Sequence, residues 1–98
     1  MKVTIYQPLH PTFRVDEAVK EYDPSEYKIV YSTENDYGEA TAKEIADHFF
    51  EVTNLTTLPG YTGHSMSVGD IINVDGENLI CISFGWMPVV WADDRKDA

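Results

Sequence analysis

The sequence predicts a single α+β domain, in which a small antiparallel sheet with a C-terminal β-hairpin packs against one main α-helix. Three observations predict this class: an alternating stretch at the start of the chain, an amphipathic stretch in the middle, and two β-rich runs joined by Asp75-Gly76. A chain of 98 residues with 43% hydrophobic residues can bury one small core. We place the domain at residues 1–91 and expect the acidic tail, residues 92–98, to fray because it has little to bury.

Two strands are expected in the first third of the chain. Val3 and Ile5 alternate with Thr4 and Tyr6, which predicts a strand that ends at the following proline. Residues 27–32 have the same β-rich character and predict a second strand. Between these strands, apolar residues at helical spacing in the stretch 13–22 predict one or two helical turns.

A main helix is expected around residues 40–53. Thr41 and Glu44 have the spacing of a capping box, in which two side chains satisfy free backbone N–H groups at a helix start. The apolar residues that follow, among them Phe49, recur in steps of three and four, which predicts a stripe facing a core. Asn54 is expected to end this helix.

The end of the chain predicts a hairpin. Residues 70–74 and 79–84 are β-rich and flank Asp75-Gly76, a strong signal for a tight turn between strands. Residues 89–91 predict a short final strand. Pro88 places it at the edge of the sheet, because proline has no backbone N–H to donate.

Ten residues are expected to supply much of the core, because they are apolar and fall at inward-facing positions of these elements. They are Val3, Ile5, Ile29, Ile45, Phe49, Ile71, Val74, Ile80, Ile82 and Phe84. The single cysteine, Cys81, lies within an apolar run, so we interpret it as a small buried hydrophobic residue. It cannot form an internal disulfide. With no signal-peptide pattern and no apolar run of about 20 residues, the chain is expected in the cytoplasm.

Acidic residues dominate the charge of the chain, with 17 acidic against 7 basic residues and a formal net charge of −10. This balance disfavours direct binding to nucleic acid or to an anionic membrane, because like charges repel. It suits high solubility or a basic surface on a protein partner, such as a host protein that binds nucleic acid. Oligomeric state is not indicated by the sequence.

The acidic residues are concentrated between Asp16 and Glu51, a stretch that contains eleven carboxylates and only three lysines. Five of them are candidate partner-binding residues: Asp36, Glu39, Glu44, Asp47 and Glu51. The last three share one helical face, with steps of about 4.5 to 6 Å along the axis. Phosphates on DNA repeat on a similar scale, with about 3.4 Å of rise per base pair. The alternative is a solvated face that only confers solubility.

The segment before the hairpin contains the residue types of a catalytic site. His64 precedes Ser65, and Asp70 follows nearby, but adjacent side chains on an extended backbone point apart. We therefore expect this loop to shape the backbone, with glycine in special conformations and polar side chains capping open backbone groups. Neither a metal site nor a cofactor is predicted, because the histidines lie apart and outside any ligand motif: His10, His48 and His64.

Four stretches of the chain resemble the YodL-like family of small domains from Firmicutes and their mobile elements. Two are the predicted strands near Val3 and Tyr27, and the third is the end of the helix, with Phe49-Phe50 and Asn54. The most specific is GHSMSVGDII at residues 63–72, similar to a family pattern G-[HR]-S-[LM]-S-V-[SG]-D-[VI]-[VI]. The motif residues of interest are Gly63, His64, Ser65, Ser67 and Asp70. A later SFGW resembles the family ending D-S-[FI]-G-F, although Ile82 stands where the family often has Asp.

The resemblance implies an α+β domain and supplies no catalytic residues. Relatives of this family also occur as modules in large polyvalent proteins of mobile elements, near antirestriction genes. This context favours a counter-defence role by association rather than by mechanism.

Three hypotheses of function follow. The first is a non-enzymatic acidic interaction module, in its sharpest form a DNA mimic that acts as an antirestriction or anti-CRISPR protein. The alternative is a small-ligand or catalytic domain with a site at Gly63–Asp70, in which His64 acts as acid or base. The third is an accessory domain that awaits a partner chain, which an exposed apolar patch near Trp86 and Trp91 would favour.

Overall fold

A computed structural model describes residues 1–10 and 14–92, and in this part of the chain a six-stranded sheet packs against one α-helix. The strands are β1 (Lys2–Pro8), β2 (Glu21–Tyr22), β3 (Tyr27–Glu34), β4 (Ile71–Val74), β5 (Glu77–Ile82) and β6 (Gly85–Trp91), and the helix α1 spans Ala42–Leu55. Their order across the sheet is β2-β6-β5-β4-β1-β3. The expected fraying of residues 93–98 and the role of Phe13 lie outside the described residues.

The α+β class is confirmed, but the sheet is mixed and not purely antiparallel. Strand β2 pairs with β6 in parallel, with Glu21 opposite Val90 and Tyr22 opposite Trp91. The helical turns predicted for residues 13–22 are wrong for the described part, which forms turns and β2. The Asp16 side chain accepts a hydrogen bond from the Ala18 N–H, a local bond that competes with helix formation.

Helix α1 begins as the sequence predicts and ends two residues later. The Thr41 hydroxyl accepts from the Glu44 N–H at 3.2 Å, and Glu44 Oε1 accepts from the Thr41 N–H at 2.9 Å, so the capping box is confirmed. Asn54 does not end the helix. Its side-chain amide donates to the Phe50 carbonyl at 2.7 Å, and this bond along the helix is compatible with its continuation to Leu55.

The predicted hairpin is confirmed as β4 and β5. Asp75 and Gly76 have φ angles of 50° and 91°, as a two-residue turn with the twist of a hairpin requires. The final strand is longer than predicted, since β6 takes in residues from Gly85 onward. The prediction of an edge position is wrong, because β2 lies outside β6 in the sheet. Pro88 lies where the two-residue β2 does not reach, so its missing N–H leaves no gap in the β2–β6 pairing.

Both faces of the sheet are covered, which gives two apolar clusters. The larger one lies between the sheet and α1, whose Ile45, Ala46 and Phe49 are buried there. The smaller one lies on the opposite face, and Val15 and Tyr22 pack against it. Its buried members are Ile71, Ile80, Met87, Val89 and Trp91. Alternation along each strand divides the side chains between the two clusters.

Seven of the ten predicted core residues are buried, and three are not. Ile29 is 59% exposed, because the pairing of β1 with β3 skips Val30 at a bulge and Val30 takes the buried position. Phe84 is 97% exposed, because it lies in the tight turn between β5 and β6. Ile82, at the end of β5, is only partly buried.

Among the residues that the structure describes, no helix is both long and apolar enough to span a lipid bilayer.

Candidate functional site

The family-like segment at residues 63–70 runs from the end of α1 to the start of β4 and is tied to both. The Met66 side chain is 1% exposed within the larger cluster. Its N–H donates to the Thr53 hydroxyl at 3.1 Å, and its carbonyl accepts from the Asn54 amide at 3.2 Å. The last turns of α1 therefore fix the middle of the segment.

Gln7 of β1 is the residue that holds the segment against the sheet. Its side chain is fully buried, and its amide nitrogen donates to the Asp70 carboxylate at 2.9 Å and to the His64 carbonyl at 2.8 Å. Its carbonyl oxygen accepts from the His64 N–H at 3.2 Å. One side chain thus joins two points of a loop that lies more than fifty residues away in sequence. We call Gln7, His64, Ser67 and Asp70 the Gln7 network.

Asp70 closes the network from the other side. Its side chain is 1% exposed and accepts from the Ser67 N–H at 3.0 Å as well as from Gln7. Its backbone carbonyl accepts from the Cys81 N–H at 2.8 Å, which aligns the segment with β5. Burial raises the pKa of Asp70 from 3.8 to about 6, although the bonds from Ser67 and Gln7 and the nearby His64 oppose the rise.

Gly63 is required by close packing and not by a left-handed backbone angle. A side-chain carbon at this position would overlap the Gln7 carbonyl oxygen and would lie 2.8 Å from Val30 Cγ1. The first residue of the motif therefore lets the loop approach β1 and β3 closely enough for Gln7 to reach it.

The residue types of a triad do not assemble into one around this loop. The His64 ring nitrogen Nδ1 lies 2.8 Å from the Ser65 carbonyl, and the Asp70 carboxylate is bonded to Gln7 and to the Ser67 backbone. A cavity of about 250 Å³ does lie beside the segment. Its lining is mostly hydroxyl-bearing: Thr53, Thr56, Thr57, Leu58, Tyr61, Gly63 and Ser65. Asp70 lies beneath this surface and does not line it.

The five candidate acidic residues are all exposed, on α1 and on the loop before it. Three also hold local structure: Asp36 accepts from the Gly38 N–H, Glu44 belongs to the capping box, and Asp47 accepts from the Trp86 indole N–H at 2.8 Å. The bonds from Thr41 lower the pKa of Glu44. We call Glu44, Asp47 and Glu51 the acidic row.

The sequence did not point to an aromatic cavity beside the acidic row. Asp47, Phe50 and Trp86 line a cavity of about 210 Å³ between α1 and the turn that joins β5 to β6. The rings of Phe50 and Trp86 lie 6.4 Å apart at 86°. We call this cavity the aromatic notch. Phe50 lies four residues after Ala46 and shares the helical spacing of the apolar stripe, yet it is 38% exposed, because spacing alone does not separate it from the buried Phe49.

The notch bears on the hypothesis of an accessory domain with an apolar patch near both tryptophans. Trp91 is 8% exposed and packs within the smaller cluster, at 5.0 Å from the Tyr6 ring and 5.4 Å from the Tyr27 ring. Trp86 is half-buried, and Phe84 is fully exposed on the adjacent turn. The exposed aromatic surface therefore lies at Trp86 and not at Trp91.

Within residues 1–10 and 14–92, no three His, Cys, Asp or Glu side chains are grouped as metal ligands would be.

Replacing Gly63 by alanine should destabilise the fold by about 2–4 kcal/mol, because the added carbon displaces the buried Gln7 amide from its partners. Urea denaturation of Gly63→Ala measures this loss. Gly38→Ala is the matched control, since its added carbon meets nothing within 4 Å and only its φ of 64° costs energy, about 1 kcal/mol. An equal loss in the two variants would show that close packing at Gly63 is unimportant.

Asp70→Asn should become more stable relative to the wild type as pH rises. The folded state holds the Asp70 proton up to about pH 6, whereas the unfolded chain releases it near 3.8, so the wild type loses stability between these values. The loss amounts to about 3 kcal/mol. It is measured as the difference in unfolding free energy between the two proteins from about pH 3.5 to about pH 7. A difference that stays constant across this pH range would contradict the buried site.

Comparison with known protein families finds one domain model that matches this chain. The YodL-like domain model matches residues 4–86, which is most of the chain and includes Gln7 of β1 and the segment that Gln7 holds. Neither a curated protein nor a solved structure matches the chain significantly. The chain belongs to the YodL-like domain family.

Proposed function

We propose that this domain is a non-enzymatic interaction module that binds a basic surface of a partner protein through the carboxylates of α1 and the loop before it. The observation that carries the proposal is the exposure of all five of these carboxylates on one continuous stretch of chain, 36–51. A single lysine, Lys43, lies within that stretch. Such a surface attracts positive charge and repels nucleic acid.

The sharpest form of the proposal is a DNA mimic that occupies the nucleic-acid groove of a restriction or CRISPR nuclease in the cytoplasm. Successive members of the acidic row are three and four residues apart, which separates them by about 4.5 to 6 Å along the axis of α1. This spacing is comparable with that of phosphates on DNA. Family context on mobile elements supports this form by association. Contacts of this kind weaken with added salt, because exposed charges are screened within about 10 Å at 0.1 M salt.

The structure changes how this proposal has to be tested. Glu44 forms the capping box, and Asp47 holds the Trp86 indole. Reversal of these residues to lysine would break both contacts and would confuse a loss of charge with a loss of structure. Glutamine at 44 can keep the capping box, and asparagine at 47 can keep an acceptor for Trp86.

A small-ligand or catalytic site at Gly63–Asp70 is the second candidate. The cavity of about 250 Å³ favours a small polar ligand, because hydroxyl groups of three threonines, Tyr61 and Ser65 are on its wall. The Gln7 network argues against chemistry there, since the Asp70 carboxylate is buried in contact with an amide and a backbone N–H. The interaction module is therefore the better supported function.

Neutralising the acidic row with Glu44→Gln, Asp47→Asn and Glu51→Gln should weaken capture of basic proteins by about 10-fold or more, because it removes three charges from one face. Capture is measured with the immobilised domain in bacterial lysate at about 50 and about 500 mM salt, followed by mass spectrometry. Unfolding free energy should change by less than about 1 kcal/mol, because the replacements at positions 44 and 47 can keep their local hydrogen bonds and Glu51 is exposed.

The matched control is Glu17→Gln, Glu26→Gln and Glu34→Gln, which removes three exposed charges outside α1. This control should capture the same partners as the wild type. Equal capture by the neutralised acidic row, or an equal loss in the control, would refute the proposed surface.

A further inference from the structure

The aromatic notch combines three features that together recognise one kind of chemical group. It has two aromatic rings, Phe50 and Trp86, that meet almost at right angles. A carboxylate, Asp47, lies on the same wall. A planar cation can stack on an aromatic ring and donate a charge-assisted hydrogen bond to a carboxylate, whereas an apolar group leaves the carboxylate without a new partner.

The volume of the notch fits a side chain better than a metabolite. Its volume of about 210 Å³ is below the range of about 300–1,000 Å³ typical of small-molecule pockets. It is open at the rim, where Phe50 is 38% exposed. Phe84, 97% exposed on the adjoining turn, is available to contact whatever carries the side chain.

The Asp47 carboxylate is held in place before any ligand arrives. Its Oδ1 atom accepts from the Trp86 indole N–H at 2.8 Å, which fixes the carboxylate and the indole relative to each other. The second oxygen, Oδ2, remains to accept from a cation. A fixed acceptor loses less entropy on binding than a mobile one, so the existing bond favours recognition of a rigid donor group.

The negative charge around the notch and the shape of the guanidinium group favour an arginine side chain of the partner as the occupant. Asp47 belongs to the acidic row, so a basic surface that lies along α1 brings cationic side chains to the rim of the notch. Arginine stacks on aromatic rings and presents a planar fork of N–H donors, whereas lysine is a compact and strongly hydrated charge. Arginine is also enriched at the centres of protein interfaces.

We propose that the aromatic notch binds the guanidinium group of one arginine side chain of the partner, in contact with the Trp86 and Phe50 rings, stacked on the face of one of them, and hydrogen-bonded to Asp47. That the arginine belongs to a partner protein rests on the proposed function. The affinity of the notch for a guanidinium group does not depend on it. The acidic row thus supplies attraction over distance, and the notch supplies the specific anchor.

The test is a titration of the ¹⁵N-labelled domain with N-acetyl-arginine amide, followed by NMR. The Trp86 indole N–H signal and the backbone signals of residues 83–86 should shift. N-acetyl-citrulline amide has a similar shape without charge and should bind at least about 10-fold more weakly, as should N-acetyl-lysine amide with its free side-chain amine.

Two variants that keep the fold make the titration specific. Asp47→Asn should weaken arginine amide about 10-fold, because it keeps the Trp86 acceptor and removes the charge. Phe50→Leu should weaken it about 2- to 5-fold, because it keeps an apolar side chain and removes one ring. Glu34→Gln removes the same charge from β3, at the opposite edge of the sheet, and should leave the affinity within about 2-fold.

The outcomes separate this proposal from the proposed function. Absence of a shift at Trp86, or equal binding of the citrulline or lysine compound, would overturn the arginine site even if lysate capture depends on the acidic row. Specific binding of arginine amide that Asp47→Asn weakens would establish the site. It would do so even if the neutralised acidic row captured the same partners, in which case the proposed function alone would fail.

Discussion

The fold of this domain depends on the pairing of one buried amide, Gln7, with one buried carboxylate, Asp70. Both side chains are almost completely removed from water, so each must find its partners inside the protein. They find them in each other and in backbone groups of His64 and Ser67. Through these bonds β1, the segment at residues 63–70 and the start of β4 hold one arrangement. Gly63 permits it, because no larger residue fits beside Gln7.

This constraint separates the structural polar residues from those available to a partner. The segment at residues 63–70 carries serine, histidine and aspartate, yet its buried polar groups bond to Gln7 and to the backbone of the segment. The acidic row and the aromatic notch lie instead on α1 and on the turn before β6, where side chains are exposed. The motif thus contributes to the stability of the scaffold, and the surface that we propose for binding lies elsewhere.

Local signals made much of the fold predictable, and contacts between distant residues limited the rest. The capping box and the Asp75-Gly76 turn each depend on residues within four positions, so both were found from sequence. The bulge that exposes Ile29 depends on the pairing of β1 with β3, which spacing along one strand does not reveal. Of the candidate site, the acidic residues could be predicted from the distribution of charge along the sequence. Gln7 and the aromatic notch could not, because each joins elements far apart in the chain.

Native-state hydrogen exchange of the Ser67 and His64 amides tests the central role of the Gln7 network most directly. Both amides lie in a segment without regular secondary structure, where exchange is ordinarily fast. Because they donate to buried acceptors of the network, they should exchange only when the whole domain unfolds, with the same opening free energy as the amides of β4. Exchange of Ser67 and His64 at the rate of an exposed loop, with β4 still protected, would contradict this account.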